Sequence, residues 1–346
     1  MTAADLVELD PAGSAWSALV AEAPEATAFH HPAWGQVLAD AYGFRSTVLA
    51  MTDAGGRVRA GAALARVRRL RRAAWVSLPF ADHCPALALD PASRDRFATG
   101  LAAWGASAGA PIEVRGGIPV MPAWPGAAIA VQHVLALDGD PAAQRARIHA
   151  THRKRIRQAE RSGLAVRLGR SHEDVADFYR LHVATRRRQG VPVQPRAFFE
   201  AVWRHVIGPG LGIVALAAPL GGRPVAGAVV LAWNGTAIAK FQASDEAAWR
   251  LRPNHLVYWT VIRWAADHGH RRFDFGRTDA GQDGLLQWKA GWGAEAIPLR
   301  YSRTEGPAAA GAGGGGPLAA AMRHVIRRSP DVVCRGLGAL LYRYAA

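Results

Sequence analysis

The strongest constraint on the fold comes from residues 211–244, where three short apolar runs are separated by two tight turns. The runs are LGIVALAA (211–218), PVAGAVVLAW (224–233) and TAIAKFQAS (236–244). The connections LGGR (220–223) and NG (234–235) have the residue types that hairpin turns require. The sequence therefore predicts three antiparallel strands in a meander.

A helix is predicted directly after this meander. Pro253 stands at its start and Gly269 at its C-terminal cap, and the apolar residues between them recur at helical spacing: Leu256, Trp259, Val261, Ile262 and Ala265. Three further elements are predicted, a strand at RRFDFGR (271–277), a brief helix at GLLQWKAGWG (284–293) and a strand at AIPLRYSRT (296–304). The order of this half is β-β-β-α-β-α-β.

The first half of the chain carries a weaker copy of the same order. Strands are predicted at STVLAMTD (46–53), GRVRAGAALARVR (56–68), AAWVSLPF (73–80) and PIEVRGG (111–117), a helix at DRFATGLAAWGASAG (95–109), and a closing strand at VQHVLAL (131–137). We therefore predict an α/β protein of two tandem domains, residues 1–138 and 139–304. Each domain is expected to have a mixed, mainly antiparallel twisted sheet flanked by helices.

Two basic helices are predicted where the second domain begins. One starts at Asp140-Pro141 and ends at Gly163, and the other starts at Ser171, with Asp174 three positions on, and ends at Gly190. Residues 305–346 are predicted to be a Gly-rich linker and a basic, partly amphipathic helical tail. Packing on the protein is one interpretation of this tail, and peripheral contact with a membrane is the other.

Composition and charge narrow the classes of function. The 346 residues include 42 Lys and Arg against 27 Asp and Glu, a net charge of +15 that favours polyanionic or phosphorylated partners. The two cysteines lie far apart and the 13 histidines match no metal-ligand spacing, so neither a disulfide framework nor a metal site is expected. The acidic N-terminus lacks the pattern of a signal peptide, and no apolar run reaches the roughly 20 residues that span a bilayer. A cytoplasmic location is the expectation.

Residues 273–295 (FDFGRTDAGQDGLLQWKAGWGAE) are the strongest candidate for a functional site. Gly, Asp, Lys and aromatic residues are concentrated there between a predicted strand end and a short helix, where α/β folds bind ligands. Lys289 lies between Trp288 and Gly291-Trp292 and is one of three lysines in the chain. Its ammonium could stabilise an oxyanion or hold a phosphate, although a lysine extended along an amphipathic helix is the alternative.

Several motifs resemble the FemABX-like transferases, peptidoglycan-bridge aminoacyltransferases that have a tandem GCN5-related N-acetyltransferase (GNAT) fold. The resemblance spans about residues 29–304 and rests on the following segments in order: SLPFADHCPAL, IEVRGG, THRKRIRQAERSGL, FYRLHVATRRRQGVPVQPRAFF, RLRPNHLVYWTVIRWAADHG and FDFGRTDAGQDGLLQWKAGWGAEAIPLRY. It implies two GNAT-like domains with the active cleft in the second.

The resemblance also implies a reaction, the transfer of an aminoacyl group from aminoacyl-tRNA to an amine of a muropeptide or related phosphorylated acceptor, with no bound cofactor. By motif match, Lys289 lies near the reacting carbonyl and stabilises the oxyanion. The side chains expected to bind substrate are Arg187, Arg196, Tyr258 and Arg277. Asp274 and Asp283 are candidates for accepting the amine proton, as is Asp279, with deprotonation by the substrate itself equally open.

Residues 250–255 bear on which acyl donor the protein uses. Acetyl-CoA enzymes of this superfamily place a glycine-rich turn before a helix, and its N–H groups hold the pyrophosphate. This chain reads RLRPNH there, and Pro253 removes one donor, which favours a donor other than acetyl-CoA. A tRNA could instead be held by phosphate contacts from Arg153, Lys154, Arg155 and Arg157. A solvated charged face is the alternative for these four residues.

Two other functions stay open at this point. One is an acyltransferase that uses acyl-CoA or a carrier protein as donor in exopolysaccharide or natural-product biosynthesis. The other is a non-catalytic protein that binds RNA or a membrane surface through its basic residues. The first predicts activity that survives RNase, and the second predicts that function does not depend on Lys289.

Overall fold

The strands and helices follow the predicted order over most of the chain, in a computed structural model that describes residues 6–69, 72–118, 123–304 and 317–342. The first part contains β1 (Val7–Leu9), α1 (Ser14–Glu22), α2 (Pro32–Tyr42), β2 (Ser46–Thr52), β3 (Val58–Arg69), β4 (Arg72–Val76), β5 (Leu87–Ala88), α3 (Pro91–Ser107), β6 (Ile112–Arg115) and β7 (Gly126–Ala136). Next come α4 (Pro141–Arg147), α5 (Ala150–Glu160), β8 (Leu164–Gly169), α6 (His172–Gln189), α7 (Arg196–Val202), β9 (Gly212–Pro219), β10 (Ala226–Trp233) and β11 (Thr236–Ser244). The last elements are α8 (Pro253–Asp267), β12 (Arg272–Asp279), α9 (Asp283–Ala290), β13 (Glu295–Arg303), α10 (Pro317–Arg328) and α11 (Asp331–Leu341).

The chain forms two compact units. Unit 1 takes in the described parts of residues 1–131 and 298–312, and unit 2 those of residues 132–297 and 313–342. These limits differ from the predicted domains because the last strand joins unit 1 and the tail helices join unit 2. The Gly-rich linker predicted after residue 304 lies outside the described residues.

Unit 1 has the strand order β1-β2-β3-β4-β6-β13. Neighbouring strands run antiparallel, apart from the parallel pair of β4 and β6. Helix α3 places Phe97 and Leu101 in the core beside Leu64 and Val114. The predicted mixed, mainly antiparallel sheet is therefore confirmed in this unit.

Unit 2 has the order β8-β9-β10-β11-β12, in which only β11 and β12 pair in parallel. Helix α8 packs Val257 and Val261 into a core that includes Ala215 and Ala228. Phe178 of α6 lies against Gly227, whose neighbours in the strand point to the other face of the sheet. A Cβ at Gly227 would lie 2.8 Å from the carbonyl oxygen of Ala215, so only glycine fits this close packing.

The two closing strands differ from the prediction. Tyr301–Arg303 of β13 pairs with Glu113–Arg115 of β6 within unit 1. Residues 132–136 of β7 belong to unit 2, where the N–H of Leu137 donates to the carbonyl oxygen of Arg271 at 2.9 Å. Pairing between strands so far apart in sequence is set by tertiary packing, so the local pattern of apolar residues does not show which strands pair.

The single helix predicted from residue 140 to residue 163 is wrong. The chain forms α4 and α5, because Ile148 is extended and His149 caps the second helix by accepting the N–H of Thr151. The next helix is confirmed at both ends. Ser171 and Asp174 form a capping box, and Gly190 ends α6 in the left-handed conformation with φ 72°.

The tail helices and the cysteines bear on two of the sequence interpretations. Helices α10 and α11 pack against α6, which confirms the packed-tail interpretation. Cys84 and Cys334 are buried free thiols, as expected for small apolar side chains. In the described part of the chain, no helix is long and apolar enough to cross a membrane.

Candidate functional site

Strands β11 and β12 share only a short ladder, which runs from Thr236–Arg272 to Ile238–Asp274. Both strands continue, β11 to Ser244 and β12 to Asp279. Ends of parallel strands that separate in this way expose backbone groups at a sheet opening, where α/β folds commonly place ligands. We call the residues beyond the ladder, 239–244 and 275–279, the strand opening.

A β-bulge lies at the strand opening. Val229 pairs with Phe241 and Val230 with Ala239, so Lys240 is the extra residue on β11. Bulges re-aim side chains and are frequent beside active sites. Sequence reasoning missed Lys240, although the scarcity of lysine in this chain was a signal that applied to it as well as to Lys289.

Lys289 is buried on α9, with 4% of its surface exposed. Its Nζ donates to the carbonyl oxygens of Gly276, at 2.6 Å, and Arg277, at 3.2 Å. Both acceptors belong to the part of β12 that has separated from β11. The structure therefore brings the predicted lysine to the strand opening and fixes it there through main-chain atoms.

Asp274 is buried on the last ladder position of β12. Its Oδ2 accepts from Nε2 of Gln132 at 2.6 Å, and its Oδ1 accepts from the N–H of Gly276 at 2.7 Å. With both oxygens engaged, this carboxylate is suited to shaping the turn of β12 that holds Lys289. Asp283, another predicted proton acceptor, is exposed at the first position of α9.

Tyr258 reaches the strand opening from α8. Its hydroxyl donates to Oε1 of Gln242 at 3.2 Å, and its ring stacks on Phe275 at 5.5 Å. Trp288 meets the same ring edge-on at 4.7 Å. Burial raises the pKa of Tyr258, so the phenol stays protonated and acts as a hydrogen-bond donor.

A buried histidine that the sequence analysis did not single out lies close enough to Lys289 to feel its charge. His133 on β7 is 1% exposed and its Nδ1 has no hydrogen-bond partner. Its pKa is lowered first by burial and second by the ammonium of Lys289. The imidazole is therefore neutral, which limits the positive charge around Lys289.

The three predicted substrate-binding arginines have other partners. Arg187 pairs with Asp331 of α11 at 2.9 Å, and Arg196 pairs with Glu200 one turn along α7, also at 2.9 Å. Arg277 donates its Nε to Asp279 at 2.6 Å. Only Arg277 lies within the strand opening, so the structure does not gather these side chains into one substrate site.

The basic residues of α5 include one that is bonded to the main chain and two that are exposed to solvent. Arg153 donates to the carbonyl oxygens of Ala146, at 2.9 Å, and Ile148, at 2.8 Å, and so joins the end of α4 to α5. Lys154 and Arg157 are exposed. Arg153 therefore has a structural role, while the side chains of Lys154 and Arg157 face solvent. Phosphate contact by these basic residues stays a prediction.

A cavity of about 560 Å³ lies between the start of α5 and α9. Its described lining contains no carboxylate and consists of His149, Thr151, His152, Arg155, Gly284, Gln287, Trp288, Ala290 and Gly291. A Cβ at Gly291 would lie 2.8 Å from the ring of His152, so glycine is required for this close packing. Arg155 and Trp288 both line this cavity, and a cation and an aromatic ring in one cavity suit nucleotide-like ligands.

The start of α8 lies against α5. The helix begins at Pro253, as predicted, after Arg252 in the left-handed conformation with φ 59°. Nε2 of Gln158 donates to the carbonyl oxygen of Arg250 at 3.0 Å, and the rings of His152 and His255 meet at 4.9 Å. Within the described residues, no group of three His, Cys, Asp or Glu side chains could hold a metal ion.

Residues 146–290 match the family model described as an acetyltransferase (GNAT) domain. Among solved structures, FemX has a TM-score of 0.67 at 14% identity, covering 86% of this chain and 96% of its own. The C-terminal domain of a putative lysylphosphatidylglycerol synthetase from Agrobacterium fabrum has a TM-score of 0.57 at 13% identity, with 84% and 91% covered. A tandem GNAT protein from the clavulanic acid biosynthesis pathway has a TM-score of 0.53 at 15% identity, with 88% and 99% covered. A comparison with curated proteins finds no match.

These likenesses agree with the features of unit 2. A meander, a parallel pair that separates, and a helix between its two strands are all present in residues 212–279. The likeness to the FemX structure confirms the expected fold, and the family model places a GNAT domain in residues 146–290. The protein thus has the FemABX-like fold of tandem GNAT domains.

Proposed function

We propose that the protein is an N-acyltransferase of the FemABX type, which transfers an aminoacyl group from aminoacyl-tRNA to an amine of a cell-wall precursor or a related small acceptor. The observation that carries the proposal is the position of Lys289, a buried ammonium fixed to the separated end of β12. The FemABX-like fold and the net charge of +15 support it.

The reaction needs no covalent enzyme intermediate. The acceptor amine attacks the ester carbonyl carbon, a C–N bond forms, and the C–O bond to the tRNA ribose breaks. The amine proton ends on the released ribose hydroxyl. Lys289 would stabilise the oxyanion that forms during the attack. The phenol of Tyr258 would keep the side chain of Gln242 oriented at the strand opening.

Proton removal from the amine is best assigned to the substrate itself. Asp274 is buried and already accepts hydrogen bonds from Gln132 and from the N–H of Gly276, so it has little capacity to take a proton from a substrate. Asp283 lies exposed at the start of α9. Deprotonation by the leaving ribose oxygen or by a second substrate group fits these positions better.

A second candidate is transfer from acyl-CoA or an acyl carrier, and the family model described as an acetyltransferase (GNAT) domain favours it. Pro253 at the start of α8 argues against it. Proline has no N–H, so it removes one donor from the helix end at which a CoA pyrophosphate would be held.

The decisive experiment incubates the purified protein with bulk aminoacyl-tRNA and an amine acceptor and follows loss of the aminoacyl ester. Parallel reactions contain RNase, or a panel of acyl-CoAs in place of tRNA. We expect ester loss that requires the acceptor, stops with RNase and disappears in Lys289→Met. Activity only with acyl-CoA would overturn the tRNA assignment and promote the second candidate.

A charge-reversal pair tests the tRNA surface separately. Arg157 is exposed on α5, and Arg223 is exposed in the turn between β9 and β10. Because phosphate contacts release counterions, Arg157→Glu should weaken tRNA binding and lower its salt dependence, while Arg223→Glu leaves both unchanged. Equal effects of the two variants would show that tRNA is attracted by the net charge of the protein and not by a specific surface on α5. RNA binding without any turnover would favour the non-catalytic alternative.

A further inference from the structure

Helices α10 and α11 are attached to α6 by specific contacts. The hydroxyl of Tyr342 accepts from Arg186 at 2.8 Å, and Asp331 pairs with Arg187 at 2.9 Å. Gly338 lies so close to the main chain of Val193 that an added Cβ would overlap its carbonyl oxygen. These contacts fix which side of α11 faces the protein and which side is left outside.

The outward side is apolar to an unusual degree. Five of the eleven large apolar residues exposed in the described chain lie on these two helices: Met322 at 36%, Val325 at 52%, Val332 at 75%, Val333 at 44% and Leu340 at 62%. On α11 they lie with Gly336 and Ala339 along one side, opposite the buried Cys334 and Gly338. We call these five exposed side chains the tail face. A concentration of this kind marks an interaction surface.

The tail face is bordered by positive charge. Residues 317–342 contain four arginines, of which Arg327, Arg328 and Arg335 are exposed. Asp331 is the one acidic residue in this range, and its charge is matched by Arg187. Small apolar side chains with arginines beside them and almost no opposing acid form the pattern of a helix that lies on an anionic lipid surface.

We propose that the tail face docks on the surface of a membrane that contains anionic lipids. The valines and Leu340 enter the boundary between headgroups and acyl chains, and the arginines lie at the level of the lipid phosphates. A second copy of the chain is a poorer occupant, because a twofold dimer through this face would bring the arginines of one copy towards those of the other. This inference is independent of the proposed activity.

The experiment measures binding of the whole protein to vesicles of phosphatidylcholine alone and of phosphatidylcholine mixed with phosphatidylglycerol. We expect binding to the mixed vesicles that weakens as salt is raised. The double variant Val332→Ser/Leu340→Ser should lower the partition coefficient about tenfold, because it removes apolar surface from the lipid boundary. Leu220→Ser is the matched control, since Leu220 is 97% exposed in the turn between β9 and β10 and should have no effect.

Charge is tested in the same assay. Arg327→Glu/Arg328→Glu should abolish the preference for phosphatidylglycerol, and Arg223→Glu should preserve it. All of these side chains are exposed, so unfolding temperatures should stay close to that of the parent protein. Absence of binding to either vesicle overturns the proposal. A concentration-dependent dimer that Val332→Ser/Leu340→Ser dissociates, without vesicle binding, would assign the face to a second copy instead.

Discussion

The Nζ of Lys289 lies 2.6 Å from the carbonyl oxygen of Gly276, and this contact ties α9 to the separated end of β12. Gly276 has φ 71°, a conformation that turns its carbonyl towards the lysine at little cost only because the residue is glycine. A second acceptor, the carbonyl oxygen of Arg277, holds the same ammonium. The ammonium is thus held by two main-chain carbonyl oxygens of β12.

Replacing Lys289 with methionine should affect both stability and turnover. Two buried carbonyl oxygens lose their donor, which costs about 1–3 kcal/mol of unfolding free energy, while the apolar stem of the side chain is kept. Urea unfolding measures the first effect, and single-turnover transfer measures the second. Lys289→Arg should recover stability better than rate, because a guanidinium keeps the charge but not the position. Normal turnover in Lys289→Met would contradict a role at the reacting carbonyl.

Arg153 and Arg157 should separate structure from tRNA binding. Arg153→Ala removes a guanidinium that joins the carbonyls of Ala146 and Ile148, and should lower the unfolding free energy by about 1 kcal/mol at this half-buried position. Arg157→Ala should leave stability within about 0.5 kcal/mol, as is usual for an exposed side chain. Unfolding and filter binding of tRNA on both variants check this. Equal loss of stability would show that the α4–α5 junction does not rely on Arg153.

Two glycines of α11 give a matched test of how the tail is attached. Gly338→Ala should detach α11, because its Cβ would overlap the carbonyl oxygen of Val193. A Cβ at Gly336 meets nothing within 4 Å, so Gly336→Ala should stabilise the helix by up to about 1 kcal/mol. Hydrogen exchange of the tail amides distinguishes the two. Unchanged protection in Gly338→Ala would mean that the helix can shift without losing its contacts.

Much of the fold was predictable because its signals are local. The turns at residues 220–223 and 234–235, the start of α8 at Pro253 and the cap of α6 at Gly190 each depend on residue types within a few positions. The site segment was predictable for a similar reason, since Lys289 lies in a short stretch rich in glycine and aromatic residues. Such residues can be recognised from the neighbouring sequence alone, without knowledge of their partners in the fold.

What could not be predicted depends on contacts over long sequence distances. Arg187 meets Asp331 and Arg153 meets the end of α4, and nothing in a run of arginines tells which of them are engaged in this way. The bulge at Lys240 is a property of the register between β10 and β11. The joining of β13 to β6 is likewise decided by packing. These are the places where the sequence predictions needed correction.

Buried histidines should make the protein lose stability in mild acid. Burial, followed by the positive charge of His152, Arg155 and Arg252, lowers the pKa of His255 from 6.5 to about 3. Burial likewise lowers that of His182 to about 3. Below pH 6.5 these histidines bind a proton in the unfolded chain but stay neutral in the native state. Each of them therefore lowers the unfolding free energy by about 1.4 kcal/mol for every pH unit of further acidification.

The pH dependence of urea unfolding between about pH 6.5 and about pH 4 tests this assignment. His255→Gln cannot take up the proton in either state, so its stability should fall less steeply with acid than that of the parent protein. His324→Gln, at an exposed position on α10, is the control and should keep the parent slope. Carboxylates titrate in the lower part of the same range in all three proteins, so only the difference in slope reports on His255. An unchanged slope in His255→Gln would show that its imidazole is protonated in the native state and that the ring pair with His152 tolerates the charge.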